Sequence, residues 1–210
     1  MKLLLVGATG LVGHEVLARA LEDPRVESVM APARRPLAVS DPKLSAPVVR
    51  FDDLPKDADW WQADAAICTL GTTIAKAGSR EAFREVDHDY PLAVARLARV
   101  HGTPRFAVVS AKGANRNSPF FYSRVKGELE AELAALAFPS LTLVRPGLIG
   151  GDRTERRRGE HATMLVLQRL GPVLPKAWRI NPAARIAEVL LDAALGDSTG
   201  TRIVGSAEMA

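Results

Sequence analysis

The stretch Lys2-Leu3-Leu4-Leu5-Val6-Gly7-Ala8-Thr9-Gly10-Leu11-Val12-Gly13 decides the fold. Its first five residues form a short apolar run, and apolar residues at helical spacing begin at Leu11. The pattern therefore predicts a strand, a glycine turn and a helix. In such a unit the first glycine permits a tight turn, the second lets the backbone approach a phosphate, and the third lets the helix pack against the strand.

The start of the predicted helix is a candidate nucleotide site. Free backbone N–H groups and the positive end of the helix dipole attract a pyrophosphate. Gly7, Gly10 and Gly13 have the spacing G-x-x-G-x-x-G, one residue different from the commoner dinucleotide fingerprint. The alternative is a glycine-rich connection between two core elements that binds no ligand.

Composition narrows the class of protein. A chain of 210 residues, 47% hydrophobic and 25% charged, suits one soluble globular domain spanning residues 1–210. A net charge of +4 without clusters of aromatic and basic residues does not indicate nucleic-acid binding. The single cysteine excludes an internal disulfide and argues against a cysteine-based metal cluster, so no metal is expected.

The lengths of the apolar stretches indicate where in the cell the protein is expected to act. The apolar run Lys2–Val6 is too short for the apolar region of a secretory signal peptide, and a glycine turn interrupts it. No apolar stretch approaches the ~20 residues that span a bilayer. We therefore expect a cytoplasmic protein that does not bind a membrane, and that acts as a monomer or a homodimer.

The remainder of the chain alternates between strand and helix patterns. Further strands are predicted at residues 26–33, 47–51, 65–70, 105–110, 141–144 and 201–204. Helices are predicted to begin at Ser79, with a break near Tyr90 and Pro91, at Ser118-Pro119, and at Pro182. Strands that alternate with helices indicate a doubly wound parallel sheet with helices on both faces.

Two arginines follow the predicted second strand. An acid about 20 residues past the glycines grips the ribose 2′-hydroxyl of NAD, whereas arginine there accommodates the 2′-phosphate of NADP. Arg34 and Arg35 hold this place, and guanidinium groups match phosphate oxygens in bidentate fashion. The pattern favours NADP(H), and the alternative is a solvated basic loop. Asp52, after the third strand, fits either a hydrogen bond to adenine or turn chemistry.

The exit from the predicted strand 65–70 should also face the cofactor. Ligands of open parallel sheets lie beyond the carboxyl ends of the strands. Leu70, Gly71 and Thr72 follow that strand and are therefore expected to line the same crevice.

Tyr122 and Lys126 are four residues apart and share one face of a predicted helix. A phenol near its ordinary pKa of ~10 is a poor acid or base at neutral pH, and a nearby ammonium lowers that pKa. Such a tyrosine can protonate a carbonyl oxygen as hydride arrives at carbon, or do the reverse. The alternative is a surface tyrosine beside a solvated lysine.

In combination these features resemble the short-chain dehydrogenase/reductase superfamily, and more closely its atypical branch that includes the Tat-interacting oxidoreductase-like proteins. The resemblance covers nearly the whole chain. It is carried by stretches 7–13, 68–73, 76–78, 86–90, 110–114, 121–128, 145–147 and 151–153.

The resemblance implies a Rossmann-type fold, an NADP(H) site and named residue roles. Tyr122 is implied as the catalytic acid/base, Lys126 as its tuner and a ligand of the nicotinamide ribose, and Ser110 as the hydroxyl that polarises the substrate carbonyl. Ala111 stands where relatives often have a second serine, and Asp87 stands where many carry asparagine. The cofactor site expected from all these features comprises Gly7, Thr9, Gly10, Leu11, Val12, Arg34, Arg35, Asp52, Leu70, Gly71, Thr72, Lys126, Pro146, Gly147 and Leu148.

Residues 150–182 are expected to form a small lid or substrate region. Arg153, Arg156, Arg157 and Arg158 make it basic, which would favour an anionic small-molecule substrate. The alternative is a charged, solvated loop.

Two functions of different classes remain. The first is an NADP(H)-dependent oxidoreductase that acts on a small carbonyl or alcohol. The second is an NADP(H)-binding regulatory or interaction protein with little or no turnover, since Ala111 and the short substrate region weaken the catalytic case. An isomerase or epimerase that keeps its cofactor bound is a third possibility.

Overall fold

The computed structural model describes residues 1–150 and 179–210. Its strands are β1 (Lys2–Val6), β2 (Ser28–Met30), β3 (Leu44–Ser45), β4 (Ala65–Cys68), β5 (Arg105–Val109), β6 (Ser140–Arg145), β7 (Ile149–Gly150), β8 (Asn181–Pro182) and β9 (Gly200–Gly205). Its α-helices are α1 (Leu11–Glu22), α2 (Ile74–Ala77), α3 (Arg80–Arg84), α4 (Tyr90–Val100), α5 (Phe121–Ala135) and α6 (Ala183–Leu195), and a π-helical turn (Glu85–Asp89) joins α3 to α4.

Seven strands form one sheet in the order β3-β2-β1-β4-β5-β6-β9, and every neighbouring pair is parallel. The chain moves outward in one direction from β1 to β3 and then in the other direction from β4. This reversal beside β1 opens a crevice at the carboxyl ends of the strands, which is where ligands bind in open α/β sheets. The predicted doubly wound Rossmann-type fold is confirmed.

Each face of the sheet has its own hydrophobic core. Alternate residues of β1 point to opposite faces, so that Leu3 and Leu5 pack with α1 and α6, whereas Leu4 and Val6 pack with α4 and α5. A strand that is apolar on both sides must be covered on both sides. The continuous apolar run at the start of the chain therefore places β1 in the middle of the three layers.

The glycine turn is held by very close packing. Gly7 has a φ of +97°, which favours glycine. A Cβ atom at Gly13 would lie 2.1 Å from the carbonyl oxygen of Gly7 and 2.6 Å from Oγ1 of Thr69. The Thr69 hydroxyl donates hydrogen bonds to the carbonyls of Val6 and Gly7 at 3.2 and 3.1 Å. The first turn of α1 is thus pressed against both β1 and the exit from β4.

Prolines account for the differences between the predicted and observed edge strands. β2 covers residues 28–30 instead of 26–33, and β3 covers 44–45 instead of 47–51. Pro32 and Pro47 have no N–H group to donate to a ladder. Beyond β2 and β3 the pairing continues as an isolated parallel bridge between Ala33 and Val48.

The break or kink predicted near Tyr90 and Pro91 is present as the π-helical turn that ends at Asp89, and Pro91 lies in the first turn of α4, where its missing N–H group is tolerated. One predicted helix boundary differs. Helix α5 begins at Phe121 and not at Ser118-Pro119, because the Ser118 hydroxyl accepts a hydrogen bond from the Phe120 N–H at 3.2 Å and closes a separate turn. Ser79 caps α3 as predicted, through the N–H of Ala82 at 3.1 Å.

Most of the predicted substrate region 150–182 lies at 151–178, outside the described residues. Its flanks meet in the short parallel pair of β7 and β8. Among the described residues, no helix has both the length and the apolar character that crossing a membrane would require.

We expect Gly13→Ala to lower the free energy of unfolding by about 1–3 kcal/mol, because the added methyl group overlaps backbone atoms that cannot move aside. Gly10→Ala is the matched control in the same turn. Its Cβ atom would meet just the Gly7 carbonyl oxygen, at 3.3 Å, and its φ is −81°. Urea unfolding of the two variants measures the difference, and equal losses would contradict the packing role of Gly13.

Candidate functional site

A cleft lies over the glycine turn at the carboxyl edge of the sheet. It is lined by Gly7, Ala8, Thr9, Pro32, Ala33, Arg34, Phe51 and Leu70. Four of the residues predicted from sequence to bind a cofactor are therefore brought together here, although they come from three separate loops. Arg35 is exposed beside Arg34.

The beginning of α1 fits a phosphate group. Gly10 is the N-cap residue, and within the described residues no side chain caps this helix and no acid lies in its first turn. A Cβ atom at Gly10 would contact little besides the Gly7 carbonyl, so Gly10 leaves open space next to the helix end. Leu11 and Val12 occupy the first two helical positions, and their N–H groups are among those that a helix leaves without an intrahelical partner.

Asp52 is engaged in a local pair. The Arg50 guanidinium donates hydrogen bonds to its carboxylate at 3.2 and 2.6 Å, and both side chains are exposed. The hydrogen bond from Arg50 holds the pKa of Asp52 below its ordinary value. Of the two sequence alternatives, this contact favours turn chemistry over a hydrogen bond to adenine.

The loop after β4 is tied to the π-helical turn. The N–H of Thr72 donates to Oδ2 of Asp87 at 2.6 Å, and a Cβ atom at Gly71 would lie 3.4 Å from Oδ1 of the same carboxylate. Leu70 borders the cleft described above. Of the predicted cofactor residues in this loop, Thr72 is thus held by a buried acid from a different element, and Gly71 lies beside that acid.

Tyr122 and Lys126 lie on one face of α5, as their spacing predicts. The ammonium of Lys126 is 2.7 Å from Oδ1 of Asp87, and both of these side chains are almost fully buried. Tyr122 is 39% exposed, and its ring packs against Phe83 with 5.5 Å between the ring centroids. The lysine is therefore buried in an ion pair with Asp87, while the tyrosine side chain is partly exposed.

Burial raises the pKa of Tyr122 above its ordinary value, and the negative charge of Asp87 raises it further, while Lys126 acts in the opposite direction. The sequence expectation was that Lys126 would lower this pKa. Lys126 does lower this pKa, but burial of the phenol outweighs it, and Asp87, recognised from sequence merely as a departure from asparagine, adds a smaller raising effect.

Ser110 is engaged by a second buried acid. Its hydroxyl donates to Oε1 of Glu130 at 2.5 Å, and Arg145 donates to both oxygens of the same carboxylate at 2.9 and 2.5 Å. Ser110 and the neighbouring Ala111 are both buried. To polarise a carbonyl, the Ser110 hydroxyl would have to donate its hydrogen bond to the substrate instead of to Glu130.

Sequence reasoning missed Glu130, although a signal was available. Tyr122, Lys126 and Glu130 are spaced by four residues, so all three lie on one face of α5. Charged residues repeated on a helix face that packs against a sheet require partners, and here Asp87 and Arg145 supply them.

The predicted residues after β6 are fixed by Asn181, which sequence reasoning also missed. The N–H of Gly147 donates to Oδ1 of Asn181 at 2.7 Å, and the N–H of Asn181 donates to the Leu148 carbonyl at 2.8 Å. The Pro146 carbonyl accepts the N–H of Lys112 at 2.8 Å, and Leu148 is exposed. A fully buried amide thus positions the backbone at Gly147, one of the residues expected to bind the cofactor.

Comparison with known proteins places the chain in a family. No family model matches it. It is 34% identical over 212 residues to the protein fmp52, mitochondrial, of Aspergillus clavatus, which covers 96% of this chain and 90% of the relative. It is also 34% identical over 190 residues to HTATIP2 of Rattus norvegicus, covering 89% of this chain and 76% of the relative.

This chain belongs to the Fmp52 and HTATIP2 family. The expected resemblance to the Tat-interacting, atypical branch of the short-chain dehydrogenase/reductase superfamily is confirmed. Among solved structures, MoeE5 in complex with UDP-glucose and NAD matches 98% of this chain and 76% of its own, with a TM-score of 0.74 and 15% identity. At this identity the likeness establishes the shared fold, that of NAD(P)-binding oxidoreductases.

The family contradicts the expectation of a cytoplasmic protein, because several Fmp52 relatives are named as mitochondrial. That expectation used the short apolar run Lys2–Val6, which is a criterion for secretory signal peptides. Mitochondrial transit peptides are amphipathic and rich in arginine and serine. The length of an apolar run therefore does not address them.

The region around the cleft offers no metal centre among the described residues, where no group of three His, Cys, Asp or Glu side chains converges. Cys68 is fully buried in β4, and burial raises the pKa of its thiol to about 11. The thiol is therefore protonated near neutral pH and behaves as a small core side chain.

We expect Glu130→Ala to lower the free energy of unfolding by about 3–5 kcal/mol, because it leaves the partly buried Arg145 guanidinium without its carboxylate. Glu128→Ala is the matched control on the same helix, since Glu128 pairs with Arg84 at a more exposed position than Glu130, and exposed pairs contribute about 0–1 kcal/mol. Urea unfolding compares the two variants. Similar losses of unfolding free energy would show that the contacts of Glu130 with Ser110 and Arg145 stabilise the fold no more than the Glu128–Arg84 pair does.

Proposed function

We propose that this family member binds NADP(H) and transfers hydride to or from a small carbonyl or alcohol, with Tyr122 and Lys126 as the acid/base pair. The proposal rests on one observation: the expected cofactor cleft and the Tyr122–Lys126 pair are connected to each other. The cleft over the glycine turn contains Arg34, and the loop after β4 that borders this cleft is joined through Asp87 to Lys126 on α5. A dinucleotide extending from the cleft along the sheet edge would reach Tyr122.

The residues of the cleft support the dinucleotide part of this proposal. The open space at Gly10 and the N–H groups that begin α1 would hold the pyrophosphate. Arg34 borders the cleft and has no acidic side chain in the ribose position to compete with it, which favours a 2′-phosphate and hence NADP(H). NAD is the cofactor named for MoeE5, so the choice between the two cofactors rests on Arg34 and Arg35.

The chain's own residues define the acid/base chemistry. A bound nicotinamide would supply or accept the hydride. Tyr122 would donate the phenolic proton to the carbonyl oxygen, and Lys126 lowers the pKa of this phenol against the raising effect of burial. Lys126 would bind ribose hydroxyls while paired with Asp87. The substrate is a small molecule, and an anionic one would be favoured by the arginines at 153–158, outside the described residues.

A second candidate function is cofactor sensing with little or no turnover. The specific observation in its favour is that the Ser110 hydroxyl donates to Glu130, and that the next residue is a buried alanine. In this arrangement the carbonyl-polarising hydroxyl expected of a reductase is committed to an internal contact. A sensor would retain the cleft and Arg34 without requiring that hydroxyl.

Arg34→Glu should weaken NADPH binding by about tenfold or more and leave NADH binding much less affected, because the guanidinium would contact the 2′-phosphate that NADH lacks. Arg202→Glu is the control, since Arg202 lies in β9 at the opposite edge of the sheet. Fluorescence titration measures both cofactors with each protein. Equal losses of affinity for NADPH and NADH would mean that Arg34 does not contact the 2′-phosphate.

Tyr122→Phe should lower the rate at which a panel of carbonyl compounds is reduced by at least about 100-fold, because the variant loses the acidic hydroxyl. It should leave NADPH affinity within about twofold, because nothing else changes. Tyr90→Phe is the matched control, since Tyr90 is the other tyrosine of the chain and packs against Phe51. Steady-state assays and cofactor titration give the two readouts. Cofactor binding with no turnover in the wild-type protein would favour the sensor.

A further inference from the structure

Asp87 is the most deeply buried acid among the described residues. It belongs to the π-helical turn Glu85–Asp89, and its side chain is about 1% exposed. One carboxylate oxygen lies 2.7 Å from the ammonium of Lys126, and the other accepts the N–H of Thr72 at 2.6 Å. A single buried group therefore connects α5 to the loop after β4.

The burial of this pair has an electrostatic consequence. A charge in the interior is costly to desolvate, and an opposite charge at contact distance compensates for it. Seen from Tyr122, which lies one helical turn before Lys126, the two charges act with opposite signs. Asp87 therefore offsets part of the positive potential that Lys126 adds at the phenol.

We propose that Asp87 is a positioning residue for the Tyr122–Lys126 pair: it anchors the ammonium to the loop after β4 and offsets part of the charge that Tyr122 would otherwise feel. The inference rests on the proposed function in taking Tyr122 as the proton-transferring group. It goes further by assigning a direction to the site. A phenol that keeps its proton suits carbonyl reduction, whereas alcohol oxidation needs a phenolate to accept the proton.

The other titratable groups near this pair are consistent with that assignment. Cys68 reaches it from β4 as a neutral thiol. The ring nitrogens of His88, next to Asp87 in the chain, contact Asp89 at 2.7 Å and Glu132 at 3.1 Å instead. Among the described residues that pack around Tyr122, Lys126 and Asp87 are the charges that act on its hydroxyl.

The test follows the Tyr122 phenol directly in protein without cofactor. The chain has two tyrosines, so Tyr90→Phe in a ¹³C-tyrosine-labelled protein leaves one Cζ signal, which shifts when the phenol loses its proton. In this background Asp87→Asn should move the titration midpoint to lower pH by about one unit, because the ammonium loses its counter-charge. The readout is spectroscopic, and a purely structural role would not move it in this direction.

Asp89→Asn is the matched control. Asp89 lies two residues away on the same π-helical turn, but it contacts His88 and is exposed. We expect this variant to titrate like the parent protein. An equal shift in both variants, or no shift in Asp87→Asn, would overturn the proposal.

A double variant keeps the test decisive if Asp87→Asn does not fold with a buried unpaired lysine. Asp87→Asn/Lys126→Met removes both charges, and its Tyr122 midpoint should lie below that of Lys126→Met alone, because in the single variant the Asp87 carboxylate still raises the pKa of the phenol. Equal midpoints in these two variants would show that Asp87 has no effect at Tyr122, which would refute the proposal. NADPH titration of the parent tests the proposed function separately, because the tyrosine measurement uses no cofactor.

Discussion

The architecture depends on the contact between the first turn of α1 and the strands beneath it. Gly13 lies so near the Gly7 carbonyl and Thr69 that no side chain fits between them. This contact directs the N-terminal end of α1 over the carboxyl edge of the sheet, beside the point where strand order reverses. The cleft that contains Arg34 exists because this helix cannot move away from β1 and β4.

A second constraint is that the buried charges of α5, on the same face as Tyr122, must be paired. Helix α5 presents Tyr122, Lys126 and Glu130 on one face, and the two charged members are buried against other elements. The π-helical turn supplies Asp87, and the end of β6 supplies Arg145. Each buried charge is therefore neutralised from outside the helix. The same ion pairs that make the helix compatible with the core also determine how much charge reaches the phenol.

These two constraints are compatible with both proposed functions, hydride transfer and cofactor sensing. The proposed cofactor-binding half of the site depends on backbone geometry and on exposed arginines. The proposed catalytic half depends on the contacts of Tyr122, Lys126 and Ser110. The Ser110 hydroxyl donates to Glu130, and Asp87 holds the Lys126 ammonium. Small changes in these contacts would alter turnover and leave the cofactor cleft intact.

The sequence by itself determined the layered fold, the order of the elements, the glycine turn and the helix face shared by Tyr122 and Lys126, because local periodicity and glycine spacing encode them. Strand ends at Pro32 and Pro47 were predicted less well, since proline interrupts a ladder without ending the pairing of the chains. Tertiary structure alone decided that Asp87 pairs with Lys126, that Glu130 accepts a hydrogen bond from Ser110, and that Asn181 holds Gly147. These partners are distant in sequence, and what joins them is the requirement that buried polar groups be paired.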